Sequence, residues 1–137
     1  TYNSRGNKLT ETYPDHTGGS PGDSTYGIVT FVYDNAGRVL RKQDQLGDTV
    51  THTYDLAGRM TTRAYRTRVN SPSGTIADSD TFTFDRASRM LTAVNGRYTN
   101  TVTMTYDPIG RKATEGLTIS GRTYTTTSEY NARGELT

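Results

Sequence analysis

The chain has 137 residues, with 16 Lys and Arg against 14 Asp and Glu (formal net charge +2), ten Tyr, three Phe, and neither Cys nor Trp. That length accommodates one ordinary domain. The near-neutral charge excludes a strong pull toward nucleic acid or anionic membranes, and the lack of Cys excludes disulfides, thiolate catalysis and thiolate metal sites.

Leu, Ile, Val and Phe together supply only 21 residues, whereas Thr alone supplies 27. Low net charge and abundant Tyr rings argue against disorder, and Thr favours strands without adding much burial. The composition predicts a folded, wet, β-rich chain with a thin aromatic core. No stretch reaches the roughly 18 apolar residues a spanning helix needs, so membrane insertion is not expected.

In chain order, an aromatic residue followed by Asp or Asn, two variable residues and a small residue occurs six times. The copies are Tyr2-Asn-Ser-Arg-Gly6, Tyr33-Asp-Asn-Ala-Gly37, Tyr54-Asp-Leu-Ala-Gly58, Phe84-Asp-Arg-Ala-Ser88, Tyr106-Asp-Pro-Ile-Gly110 and Tyr130-Asn-Ala-Arg-Gly134. Their leading rings lie 31, 21, 30, 22 and 24 residues apart. Recurrence at such intervals predicts one repeat array over residues 1–137, in which each unit buries its apolar face against its neighbours.

Insertions are expected near residues 13–27 and 69–79, where the two long intervals hold Pro14-Asp-His-Thr-Gly-Gly-Ser-Pro-Gly-Asp23 and Asn70-Ser-Pro-Ser-Gly74. Between them and after them the grammar repeats. Val29–Tyr33 alternates in period two as a strand does. Asp34 starts a turn by bonding its own backbone, and Gly37 supplies the left-handed residue that makes a bulged hairpin.

Thr51–Tyr54 leads in the same way through Asp55 and Gly58 into Arg59, Thr81–Phe84 through Asp85 into Arg89, and Val102–Tyr106 through Asp107 and Gly110 into Arg111. Gly134 closes the last copy, and Ser88 stands where Gly is expected, which predicts a weaker hairpin or a different turn. Gln45–Asp48 and Ile119–Arg122 are expected to be the return turns of a meander, and no segment predicts a helix. The alternation puts Tyr33, Tyr54, Phe84, Tyr106 and Tyr130 on one face as a structural core ladder, with ranks of Thr on the other.

Tyr33-Asp34-Asn-Ala-Gly37-Arg38-Val39-Leu40 and Tyr54-Asp55-Leu-Ala-Gly58-Arg59-Met60 resemble the YD repeat (Rhs repeat) of Rhs polymorphic toxins, teneurins and Tc toxin B–C subunits. The resemblance extends through all six copies. It implies an all-β, antiparallel meander of hairpins forming a curved strip or spiral wall, a segment of a shell that in bacterial members encloses a toxin. It also implies an extracellular, secreted or cell-surface setting. The family's terminal Asp-Pro-x-Gly-Leu element has its nearest counterpart in Asp107-Pro108-Ile109-Gly110-Arg111, where Arg replaces Leu and an ordinary turn accounts for every residue.

Other residues invite chemistry. His52 lies at an inward position where other strands carry Phe31, Phe82 and Met104, so packing accounts for it. His16, with Asp15 and Asp23, sits in the first insertion with nothing to fix a geometry. The Asp–Arg pairs 34/38, 55/59, 85/89 and 107/111 recur in register, which suits a turn-capping Asp with an Arg that bonds carbonyls or pairs between neighbouring hairpins, and not a duplicated catalytic site. No phosphate loop, nucleophile elbow or zinc helix occurs.

Arg63, Tyr65, Arg66 and Arg68 are the candidate binding residues, able to engage acidic glycans or nucleic acid by charge and stacking, although a solvated strand edge is the commoner origin of such a cluster on a near-neutral chain. Ice binding by the Thr ranks is disfavoured because Thr pairs are expected on every second strand only. The expectation is therefore a non-enzymatic structural module without cofactor or metal. Its partners would be further YD repeats or other copies through open strand edges, and an enclosed toxin domain. The rival reading is a cell-surface binding module for carbohydrate or a protein partner.

Overall fold

The computed structural model describes residues 1–13, 27–67 and 78–137. Almost all of both expected insertions, with His16 and Arg68, lies outside the described residues. The remainder forms ten strands: β1 (Thr10–Thr12), β2 (Ile28–Tyr33), β3 (Val39–Gln43), β4 (Thr49–Tyr54), β5 (Met60–Arg66), β6 (Asp78–Phe84), β7 (Met90–Asn95), β8 (Thr101–Tyr106), β9 (Lys112–Ile119) and β10 (Arg122–Thr127).

They make one antiparallel sheet in sequence order from β1 to β10, and no helix occurs among the described residues. This is the open all-β meander the sequence predicts, not a closed barrel. Short bridges, Tyr2 to Lys8 and Tyr130 to Leu136, add the hairpin tips at the two ends.

The described residues form a single layer. Among the described residues the buried apolar side chains are Val29 (4% exposed) and Ala64 (5%), and the most buried of all is Thr49 (2%). The aromatic-face side chains Phe31, Tyr33, His52, Tyr54, Phe82, Phe84, Met104 and Tyr106 are half-buried, while Thr53, Thr81, Thr83, Thr103 and Thr105 opposite them are exposed. Among the described residues there is no second layer, so there each ring gains its burial from the side chains of adjacent strands. Lateral contacts must therefore carry the cohesion that a core supplies in a sandwich.

Each motif copy folds into the same turn. In the third, Gly58 N–H donates to Asp55 O at 2.9 Å and Asp55 N–H to Arg59 O at 2.9 Å. This is a type I turn closed by a left-handed residue, with Gly58 at φ 84°. Ser88 adopts φ 64° in the fourth copy, so that hairpin uses the same turn and a non-Gly residue carries the strained conformation.

A second irregularity follows in four hairpins. The register shifts between Val32 and Tyr33, Thr53 and Tyr54, Thr83 and Phe84, and Thr105 and Tyr106. In each case one residue of the returning strand is left unpaired next to the aromatic, which bends and twists the hairpin tip.

The link Asp44–Asp48 repeats the YD turn without its Tyr or Arg. Gly47 N–H donates to Asp44 O at 3.0 Å, and Asp44 Oδ1 accepts from the N–H groups of Leu46 and Asp48 at 2.9 Å each. The other return turn has Ser120 (φ 49°) and Gly121 (φ 78°) both left-handed, the geometry of a two-residue hairpin loop.

Candidate functional site

Pairing between successive hairpins stops short of their tips. β3 and β4 are in register from Arg41 and Thr51 to Gln43 and Thr49, and β7 and β8 from Thr92 and Thr103 to Val94 and Thr101. Beyond those pairs the bulged tips rely on side chains, and there the motif residues converge.

The Tyr hydroxyls cross this gap. Tyr33 donates to Lys8 O (2.8 Å), Tyr54 to Val39 O (2.8 Å), Tyr106 to Met90 O (2.9 Å) and Tyr130 to Lys112 O (2.9 Å). Each acceptor stands one residue beyond the Arg position of the preceding copy.

The Arg of that copy covers the same ring. The guanidinium carbon of Arg38 lies 4.5 Å from the Tyr54 centroid, Arg59 5.0 Å from Phe84, Arg89 4.5 Å from Tyr106 and Arg111 4.2 Å from Tyr130. Such cation–π contacts contribute about 0.5–1 kcal/mol each at exposed positions.

Asp fixes the Arg. Asp55 Oδ1 accepts from the backbone N–H of Ala57 (2.9 Å) and of Arg59 (3.0 Å), and Oδ2 accepts from Arg59 Nε (2.7 Å). Asp34, Asp85 and Asp107 repeat the arrangement, with Oδ2 to Nε distances of 2.6 Å. In the last copy the polarity is reversed, as Asn131 Nδ2 donates to Glu135 Oε2 at 2.7 Å.

Gly leaves room for the neighbouring guanidinium: a Cβ at Gly58 would lie 3.1 Å from Arg38 Nη1, and one at Gly110 3.2 Å from Arg89 Nη1. Each motif position thus has a distinct task. Asp shapes its own turn and holds its Arg, the Arg covers the next ring, that ring bonds back, and Gly admits the Arg.

Phe84 lacks the hydroxyl. By the periodicity of the acceptors, a Tyr there would reach Met60 O. Phe84→Tyr is therefore expected to stabilise the chain by about 1 kcal/mol, and Tyr106→Phe to destabilise it by a similar amount. Urea unfolding midpoints of the two variants against wild type check both signs.

The turn carboxylates should also set acid stability. Asp34, Asp55 and Asp85 are held below their ordinary value foremost by the backbone N–H groups of Arg38, Arg59 and Arg89. Burial opposes this, and the guanidinium groups reinforce it. At Asp107 burial opposes ionisation most, but the side chain and N–H of Arg111 together outweigh it.

Carboxylates depressed on folding stabilise the protein above their unfolded value of about 3.9, and that stability is lost as pH falls through the lower folded values. Acid unfolding followed by far-UV circular dichroism should show a steep component below about pH 4. The component should shrink when Asp34, Asp55, Asp85 and Asp107 are replaced together by Asn.

The basic stretch is not a strand edge. β5 lies between β4 and β6, and its cations are engaged. Arg63 Nη2 meets Asp80 Oδ2 at 2.8 Å, and Asp80 also accepts from Asn95 (2.9 Å) and from the Tyr65 hydroxyl (3.4 Å). Arg63 is in register with His52, and Arg66 with Thr49. By strand alternation Arg63 and Tyr65 therefore share the aromatic face, while Arg66 belongs to the other.

A groove of about 300 Å³ opens at this end of the sheet, lined among others by Lys42, Asp44, Asp48, Tyr65 and Arg66. Among the described residues no group of three or more His, Asp or Glu could hold a metal ion.

On the Thr face, intervening strands also contribute Thr, contrary to the expected two-strand spacing. Thr83, Thr92 and Thr103 are in mutual register, as are Thr105, Thr114 and Thr127. Many of these hydroxyls bond each other, Thr83 with Thr92 and Thr105 with Thr114 at 2.6 Å, and Thr118 with Thr123 at 2.8 Å.

Residues 33–75 match a family model described as RHS Repeat, a span that includes the two motif copies of most regular sequence. No curated protein matches the chain. Among solved structures the chain is similar to a chain in the crystal structure of TcdB2-TccC3-Cdc42, with a TM-score of 0.63 and 17% identity over 80% of this chain and 5% of that one. The same figures hold for a chain of the Photorhabdus luminescens Tc holotoxin pore bearing a TccC3 mutation. This chain thus spans about 5% of the length of those it resembles, and at that identity the likeness shows the fold.

Proposed function

We propose that this chain, a YD-repeat (Rhs-repeat) strip, serves as wall: a non-enzymatic segment of the β-shell of a secreted, cell-surface or toxin-delivery protein. One observation carries the reading. The residues that recur most strictly, Tyr, Asp, Gly and Arg, are spent on joining one hairpin to the next in a single-layer sheet. A chain of that kind is built to be extended, since each new hairpin presents the same joint to another.

Its partners on this reading are further YD repeats or other copies of itself at the outer strands β1 and β10, and a domain enclosed by the completed shell. The similarity to chains of Tc toxin structures supports the toxin-delivery setting and an extracellular location.

A second reading, carbohydrate recognition at a cell surface, draws on the groove beside Tyr65 and Arg66, because a ring flanked by carboxylates and cations is suited to sugar hydroxyls. The two readings separate experimentally. For wall, sedimentation should show concentration-dependent assembly and a glycan array should remain blank. A monodisperse monomer at every concentration, with glycan binding abolished by replacing Arg63, Arg66 and Arg68, would establish the second reading and remove the first.

A further inference from the structure

We propose that His52 makes the seam between β3 and β4 acid-sensitive, so that the strip loosens at this joint when its imidazole takes a second proton. The inference goes beyond the wall-building reading and concerns one copy of the joint. β3 and β4 belong to successive hairpins, and their backbone pairing is confined to the stretch from Arg41 and Thr51 to Gln43 and Thr49. Beyond that stretch the two strands are joined by the Tyr54 hydroxyl, which donates to the Val39 carbonyl at 2.8 Å, and by Arg38 over the Tyr54 ring.

The Nδ1 atom of His52 is buried and has no hydrogen-bond partner among the described residues. The neutral ring with its proton on Nε2 therefore suits the site, leaving a bare Nδ1 enclosed. A proton on Nδ1 would create a buried donor without an acceptor.

The charged surroundings reinforce this. On β5, Arg63 stands directly opposite His52 in register, and Tyr65 is diagonal to it, opposite Val50. On β3, Lys42 is diagonal in register, and Arg38 covers the ring of Tyr54. Asp80, the carboxylate one strand further on, is taken up by Arg63, Asn95 and Tyr65. The imidazolium would thus face the Arg63 guanidinium across the β4–β5 pair.

Burial is the main cause holding His52 below its ordinary value, Arg63 adds to it, and the Val39 carbonyl opposes both. A His depressed on folding stabilises the protein above its unfolded value of about 6.5, and that stability is lost as pH falls through the lower folded value. The turn carboxylates titrate below this range, which leaves the interval between about pH 5 and pH 7 to histidine.

Urea unfolding of the whole chain at about pH 7.5 and about pH 5 tests this, with wild type, His52→Phe and His16→Gln compared. Phe is the residue of choice because Phe31 and Phe82 occupy inward positions on β2 and β6. The midpoint of wild type and of His16→Gln should fall on acidification, and that of His52→Phe should hold. The NMR titration of the wild-type imidazoles reports on His52 independently of whether the variant folds, and should place it below the ordinary value. An equal acid loss in His52→Phe, a loss removed by His16→Gln instead, or an imidazole that titrates normally would each overturn the proposal.

Discussion

Gly58→Val should lower stability by about 2 kcal/mol or more, a larger change than any gain from Ser88→Gly. Gly58 sits at φ 84°, a region that costs an L-residue about 1–2 kcal/mol and is least accessible to a β-branched side chain. The new Cβ would also stand 3.1 Å from Arg38 Nη1. Arg38, whose guanidinium carbon is 4.5 Å from the Tyr54 centroid, would then have to shift by a few tenths of an ångström, so the backbone strain is the larger part of the cost.

Ser88→Gly relieves the same backbone strain at φ 64°, but Gly gives back part of the gain through the entropy of the unfolded chain. It also removes the Ser88 hydroxyl, 3.5 Å from Arg59 Nη1. A gain of about 0.5–1 kcal/mol is expected. Paired thermal and urea melts decide: equal or reversed shifts would contradict the division of labour assigned to the turn.

Arg59→Ala should cost about 2 kcal/mol, and Arg59→Lys should recover little of it. Arg59 is anchored in its own turn and reaches the next hairpin by two further contacts. Its Nε bonds Asp55 at 2.7 Å, its Nη1 donates to Asp85 O in the next turn at 2.6 Å, and its guanidinium covers Phe84 at 5.0 Å. The bond from a charged donor to a backbone carbonyl is the largest contribution, about 1.5–3 kcal/mol.

Lys has no planar fork and cannot serve both carboxylate and carbonyl in this geometry. The joint matters more here than elsewhere, because Phe84 offers no hydroxyl to bond back. Urea midpoints for both variants, with Arg122→Ala in the exposed strand β10 as a reference, check the prediction.

Much of this architecture was legible in the sequence. Asp34 and Gly37 three residues apart after an alternating strand specify a bulged hairpin by local chemistry alone, and the period-two pattern separates Tyr33 and Tyr54 from the Thr ranks. The likeness to the YD repeat supplied the open strip. That the Arg would bond carbonyls or pair between neighbouring hairpins was also legible, and Arg59 on Asp85 O is such a bond; which ring it covers was not. The role of Arg38 depends on Tyr54, a residue 16 positions away, and no local pattern states that a guanidinium will rest on the next copy's ring.

The turn at Asp44 was placed but not recognised as the same structure. Its Asp followed three residues later by Gly47 carried the signal, masked by Gln43 and Asp48 where Tyr and Arg stand elsewhere. The Arg-rich stretch reads in sequence as a solvated strand edge, because linear spacing cannot reveal that β6 would bring Asp80 against Arg63. The spacing of the Thr ranks was misjudged for the same reason: register between Thr83, Thr92 and Thr103 is a property of neighbouring strands.

The central claim is that side chains of one hairpin tip hold the next in place. Native-state amide hydrogen exchange on wild type and Arg59→Ala tests it most directly. Protection should fall in β6, β7 and the Asp85 turn as well as in the turn that contains residue 59, because the lost contacts span the seam. Faster exchange confined to the 55–59 turn, with β6 and β7 unchanged, would mean that each hairpin stands by itself and would contradict the account.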